Sequence, residues 1–167
     1  QAWITKEGQR IFTDNGHSSL GYTLPAAIGA AIAFEGKKRI IAICGDGDLM
    51  FNLQELQTLK NYNLPVKLFI LNNQCYGIAK NYQDTYFESR YEASGKGYSI
   101  PNFEGIIDAF DIRFYYLEDE GDLNKTKSRL NIILSDEYTQ RPLDPVIIEV
   151  DMKDEHKYEP HLGWGLP

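Results

Sequence analysis

Cysteine is scarce: the 167 residues hold two, Cys44 and Cys75, and neither stands in a CxxC pair or beside a histidine. That pattern excludes a structural zinc site and a secreted disulfide framework. Long apolar runs are missing too. No stretch approaches the roughly 18 consecutive apolar residues of a membrane-spanning helix, and the opening QAWITKEGQR lacks the regions of a signal peptide. Positive charge is in deficit, with 17 Lys and Arg against 24 Asp and Glu and a net charge of −7. That argues against nucleic acid or an anionic membrane as partner. Neither GxxxxGK[ST] nor GxGxxG occurs, so the common nucleotide signatures are absent. There is no repeat, low-complexity tract or Gly/Ser linker. What remains is a cytoplasmic globular domain, expected to be a piece of a longer protein because residue 1 is not methionine.

The residues that are present alternate between short β-rich runs and helical stretches. Arg39–Cys44, Val66–Leu71, Ile112–Leu117 and Val146–Val150 read as strands, and Arg10–Asp14 as a short strand or sheet edge. The Ala-rich segment Tyr22–Phe34 reads as a helix with Pro25 in its first turn; Gly29 there predicts close packing on a flat partner. Leu53, Leu56 and Leu59 give Asn52–Asn61 one apolar face, with Asn52 as N-cap. Helices are also predicted over Phe103–Phe110 and Leu123–Leu134. The segment Tyr76–Tyr98 is polar and aromatic without a clear period. Strands alternating with helices predict a three-layer α/β sandwich, its central sheet mostly parallel and helices on both faces. Continuous apolar strands predict burial on both sides. The domain is expected to span residues 1–151, with an extended tail at 152–167.

Chemistry gathers at Gly45-Asp46-Gly47-Asp48 and at Asn72-Asn73. Alone, a GDG between apolar residues reads equally well as a hairpin turn, and Asn-Asn as a loop. Their order changes this: strand, GDGD turn, helix, strand, NN turn. In a parallel βαβ unit both turns emerge at carboxyl ends, which lie about 5 Å apart if the strands are neighbours, and ligands of open α/β sheets bind there. Asp46 and Asn73 supply hard oxygens suited to magnesium, which also takes phosphate oxygens and water. Gly45 and Gly47 let backbone approach a bulky anion, and the helix start offers N–H groups to phosphate. A diphosphate bridged by magnesium fits the residue types and reconciles an acidic chain with an anionic ligand.

The paired GDG and NN motifs, at this spacing, resemble those of the thiamine-diphosphate (ThDP) enzymes. The upstream DNGHSSLGYTLPAAIGAA (Asp14–Ala31) is similar to the corresponding stretch of acetolactate synthases, and similarity extends over about Phe12–Val150. The resemblance implies ThDP and Mg2+ as cofactors, with Asp46, Asn73 and the backbone carbonyl of Cys75 as metal ligands. It also implies N–H contacts from Gly47 and Asp48 to the diphosphate, with Gly45, Tyr76 and Gly77 beside them. Leu20 would prop the bent cofactor and the Ser18 carbonyl would face its exocyclic amine. The stretch NNQCYGIAKNYQDTYFESRYEASGKGYSIPNF is more similar to a subgroup of acetolactate-synthase-like enzymes of nucleotide-sugar and surface-polysaccharide biosynthesis. His17 is a candidate acid/base, or else packs against the cofactor or holds its loop. Tyr82, Gln83 and Tyr86 are substrate-cavity candidates.

The implied activity is decarboxylation of a 2-oxo acid such as pyruvate with transfer of the two-carbon unit to a carbonyl acceptor. Alternatives are a simple 2-oxo acid decarboxylase or a separate subunit of a two-chain decarboxylase. In another class stands a non-catalytic nucleotide-binding or regulatory domain. The family's activating glutamate belongs to a pyrimidine-binding domain that nothing here matches. That domain, of the same or a neighbouring chain, is an expected partner, as is a homo-oligomer.

Overall fold

In the computed structural model, the β-branched runs fall into one sheet of four strands. The structure describes residues 3–14, 16–118, 122–135 and 143–152; of the tail expected at 152–167, residues 153–167 lie outside them. The elements are α1 (Thr23–Ala33), β1 (Ile40–Gly45), α2 (Asp46–Met50), a 3-10 turn (Leu53–Glu55), α3 (Leu56–Asn61), β2 (Val66–Asn72), α4 (Gly77–Tyr86), α5 (Phe103–Ala109), β3 (Arg113–Leu117), α6 (Leu123–Leu134) and β4 (Val146–Asp151). The strand order is β1-β2-β4-β3 and every pair is parallel. The expected α/β architecture with a parallel sheet is therefore present.

Alternation along the strands divides two cores. On one face Val66, Leu68 and Ile70 of β2 and Ile147 of β4 pack with Leu24, Ala27, Ile28 and Ala31 of α1, Leu56 and Leu59 of α3, and Phe103 and Ile107 of α5. On the other face Val146 and Ile148 of β4 and Leu117 of β3 pack with Ile133 of α6. Polar caps start the last two helices: Asn102 accepts from the Gly105 N–H at 3.4 Å, and Asp122 accepts from Asn124 at 2.9 Å, as short polar side chains do at N-caps.

Several expectations need correction. Residues Arg10–Asp14 form no strand and are largely exposed. Strand β1 lies at the sheet edge, with Ile41 and Ile43 46% and 50% exposed, so its apolar run does not mean burial on both faces. Gly29 is exposed and a Cβ built there meets nothing within 4 Å; Ala27 and Ala31 make the close approach to the sheet instead. The helix read over Asn52–Asn61 is a 3-10 turn followed by α3, and Asn52 makes no cap bond. Its amide is engaged elsewhere. Finally, the Tyr76–Tyr98 segment contains a helix, α4, whose polar composition masked it.

Candidate functional site

Parallel register sets Gly45 of β1 opposite Leu71 of β2, so both motif turns leave the same sheet edge. The two turns touch directly. The N–H of Gln74 donates to Asp46 Oδ2 at 2.9 Å, while Asp46 Oδ1 accepts from the Gly47 N–H at 2.8 Å. Helix α2 starts at Asp46 itself, earlier than the helix expected near Asn52. Asn73 folds its side chain back, Oδ1 accepting from the Cys75 N–H at 3.3 Å. Gln74 adopts left-handed backbone, φ +53, which makes this turn sharp enough to reach Asp46.

Asp46 is only 2% exposed, and among the described residues no cationic side chain pairs with it. Burial raises its pKa, against which the Gly47 and Gln74 N–H groups pull it down. The Tyr98 hydroxyl stands beside it, buried. Burial, and then the neighbouring Asp46 charge, hold that phenol protonated well above its usual range. The Cys44 thiol, next to the turn, is pushed up by burial and then by Asp48 and Asp46. It is an inert thiol, not a nucleophile.

A third segment joins the GDGD turn through hydrogen bonds. Gly21, at φ +87, donates its N–H to Asp48 Oδ1 at 2.5 Å, and its carbonyl accepts from Asn52 Nδ2 at 2.7 Å. These bonds pin the Ser18–Tyr22 loop to the GDGD turn. Sequence reasoning gave Asp48 only a backbone role and Asn52 a cap; the glycine that lets both reach the loop went unnoticed.

The three segments, together with α4 and the turn after it, line an open cleft of about 1510 Å³. Its wall includes Ser18, Leu20, Gly45, Asp46, Gly47, Asp48, Asn73, Cys75, Tyr76 and Gly77, every expected cofactor or metal position. His17 is exposed and is not part of the wall. Tyr82 and Gln83 line it; Tyr86 does not, and packs against Tyr82 with ring centroids 4.7 Å apart and the planes tilted by 47°. Sequence reasoning missed Ile78, Phe87, Arg90, Glu92 and Met152, also on the wall. Met152 could have been suspected because it directly follows the last strand.

The donor set suits a hard cation with a bulky anion. A buried carboxylate without a cationic partner calls for one. A Cβ on Gly45 meets nothing within 4 Å, leaving that side of the turn open, whereas one on Gly47 would come within 2.5 Å of the Tyr76 ring and 2.9 Å of the Tyr98 hydroxyl. Among the described residues no group of three His, Cys, Asp or Glu side chains could hold a metal alone. A magnesium ion here would draw on one carboxylate, an amide, a backbone carbonyl and ligand oxygens, which is its ordinary preference.

Behind this turn runs a buried relay. Asn72 Nδ2 donates to Glu149 Oε1 of β4 at 2.5 Å, and Asn72 Oδ1 accepts at 3.2 Å from the same Gln74 N–H that reaches Asp46. Asn72 and Glu149 are each 8% exposed. Removing the acceptor leaves a buried amide unsatisfied. Glu149→Leu is therefore expected to cost about 1–3 kcal/mol in urea unfolding, and Glu149→Gln, which keeps an acceptor, much less. Equal midpoints for the leucine variant and the parent would contradict the relay.

Comparison with known proteins agrees with this geometry. The sequence model described as "Thiamine pyrophosphate enzyme, C-terminal TPP binding domain" matches residues 1–136. The acetolactate synthase large subunit of Cyanidium caldarium is 37% identical over 139 residues, covering 81% of this chain and 23% of that protein. The large subunit from Lactococcus lactis subsp. lactis is 31% identical over 171 residues, covering 99% and 28%. The mitochondrial acetolactate synthase of Schizosaccharomyces pombe is 34% identical over 155 residues, covering 93% and 21%. The chain thus spans about a quarter of the length of these curated relatives. ThDP, carried with Mg2+, is the cofactor of this family, and the two turns that meet through Gln74 and Asp46 suit it. A match over most of the chain, joined to that meeting of turns, makes this chain a member of the thiamine pyrophosphate enzyme family, as its C-terminal TPP-binding domain.

Proposed function

We propose that this domain anchors the diphosphate of ThDP through Mg2+ in an acetolactate-synthase-like enzyme that decarboxylates pyruvate and passes the two-carbon unit to a carbonyl acceptor. The observation that carries the reading is the Asp46–Gln74 contact of 2.9 Å, which joins the two motif turns at one sheet edge. Asp46, Asn73 and the Cys75 carbonyl are the proposed metal ligands. Gly45, Gly47, Asp48, Tyr76 and Gly77 surround the diphosphate, while Leu20 and Ser18 face the rings. When bound, ThDP supplies the carbanion chemistry; the protein supplies binding, orientation and electrostatics. Asp46 would balance the metal charge, and Leu20, Ile78 and Met152 give the cleft wall apolar surface. His17, off the cleft wall, is assigned no chemical step.

Residues 1–151 act as the diphosphate-binding unit and 152–167 as a tail. A pyrimidine-binding domain, from the same or a neighbouring chain of a homo-oligomer, completes the site and carries the activating glutamate. Among the described residues no helix is long and apolar enough to cross a membrane, and the proposed location is the cytoplasm.

Calorimetry on the chain tests the reading. ThDP with Mg2+ is expected to bind and ATP with Mg2+ not to, with no pyruvate consumed because half of the site is elsewhere. Preference for ATP would move the protein to the nucleotide-binding class.

A further inference from the structure

After α4 the chain makes a turn that is costly in itself. Glu88 and Ser89 are consecutive non-glycine residues at φ +51 and +56, left-handed backbone that side chains disfavour. Such conformations persist only when the surroundings hold them, and they gather at functional sites. Here the surroundings do hold them. Phe87 and Ser89 donate their N–H groups to the Gln83 carbonyl at 2.9 and 3.2 Å, and Arg90 donates its own to the Phe87 carbonyl at 3.0 Å. The returning strand of the turn is clamped by one side chain: Gln83 Nε2 donates to the Glu92 carbonyl at 3.3 Å, and Gln83 Oε1 accepts from the Ser94 hydroxyl. Ser94, 2% exposed, ties the segment to the NN turn, its carbonyl accepting from the Tyr76 N–H at 2.8 Å.

This fixed turn sets Arg90 on the cleft wall. Its Nε donates to the Phe87 carbonyl at 3.1 Å, which orients the guanidinium and leaves the paired Nη groups as a fork. Among the described residues lining the cleft, Arg90 is the one cation, set against Asp46, Asp48 and Glu92. With Asp46 and Asp48 committed to the proposed metal–diphosphate end, Arg90 is the point on this wall that attracts a further anion. An arginine fork is suited to carboxylate and phosphate alike.

We propose that Arg90 forms an anion subsite, receiving the carboxylate or phosphate of a carbonyl substrate while its carbonyl carbon lies toward the proposed cofactor end of the cleft. The subsite rests on the function proposed above. Gln83 is its positioning residue, since it clamps both sides of the turn.

The test uses the full-length enzyme loaded with ThDP and Mg2+. KM is measured for pyruvate as donor and, as acceptors, for glyoxylate, glyceraldehyde 3-phosphate and neutral acetaldehyde. Arg90→Gln is expected to raise KM about 10- to 100-fold for the anionic compound that uses the subsite, the loss of a charge-assisted hydrogen bond. KM for acetaldehyde and calorimetric affinity for ThDP–Mg2+ stay unchanged. Arg90→Lys keeps the charge without the fork and gives a smaller rise; if the glutamine variant misfolds, the lysine variant carries the same comparison. Whether the pyruvate, glyoxylate or phosphate arm moves identifies the group. Unmoved KM for all compounds, or an equal rise for charged and neutral ones, overturns the subsite. Parent enzyme that binds no ThDP–Mg2+ removes the functional reading and the subsite together; normal cofactor binding with unmoved KM removes the subsite alone.

Discussion

Asp46→Asn is expected to lower Mg2+-dependent ThDP affinity by more than about 100-fold, beyond the 10–100-fold loss typical of outer-shell partners, and at the same time to make the stability of the metal-free chain less dependent on pH. Both effects come from one buried carboxylate. With no cation beside it, Asp46 bears the cost of desolvation, which raises its pKa above the ordinary carboxylate value. The sign follows from proton linkage. Below the ordinary carboxylate range both folded and unfolded chains hold the proton and no penalty exists. As pH rises through that range the unfolded chain ionises while the folded one resists, so stability falls. The loss is complete above the raised folded pKa. Asparagine cannot ionise but offers only one of the two oxygens that accept from Gly47 and Gln74, so the difference in stability should move in the variant's favour as pH rises across that window, in denaturant titrations without metal. Saturating Mg2+ and ThDP should shift the difference toward the parent, because binding favours the ionised carboxylate. Unchanged cofactor affinity in Asp46→Asn would end the assignment of Asp46 to the metal. A pH-independent difference would show that the carboxylate is not desolvated.

Gly21→Ala is expected to unfold the protein at a markedly lower temperature. The residue sits at φ +87, and a Cβ built on it comes within 2.7 Å of Phe51 Cβ and 2.7 Å of Asn52 Nδ2. Left-handed backbone costs a side-chain-bearing residue about 1–3 kcal/mol, and overpacking adds about 1–3 kcal/mol. A combined loss of about 3 kcal/mol corresponds to a fall of about 6–12 °C in Tm for a chain of this size. The loop carrying Ser18 and Leu20 would also lift from Asp48, so cofactor affinity should fall with Tm. Gly29→Ala is the control. That glycine lies inside α1 with open space around a Cβ, and alanine there should add up to about 1 kcal/mol from helix propensity. Equal melting temperatures for the two variants would show that the Gly21 turn is not constrained.

Much of the site was legible because its chemistry is local. A GDGD segment directly after Ile40–Cys44, and an NN pair directly after Val66–Leu71, specify residue types and chain order without reference to the rest of the fold. The helices at Thr23–Ala33, Phe103–Ala109 and Leu123–Leu134 were legible from apolar spacing, and the latter two also carry polar caps. Helix α4 was not, since its mean composition is polar and it buries no residue fully. Its role is to line a cleft.

By itself the sequence determined the types of most elements, the acidic balance and the two motifs whose hard oxygens suit a metal and a diphosphate. Only the tertiary structure decided that β4 enters the sheet between β2 and β3, which puts Glu149 within reach of Asn72, and that β1 takes the edge with Ile41 and Ile43 exposed. It alone brought Gly21 to Asp48 and Asn52, 27 and 31 positions away. Parallel pairing and loop docking join residues distant along the chain. Such contacts depend on which surfaces find one another after the local elements form, and no short window of sequence encodes that choice.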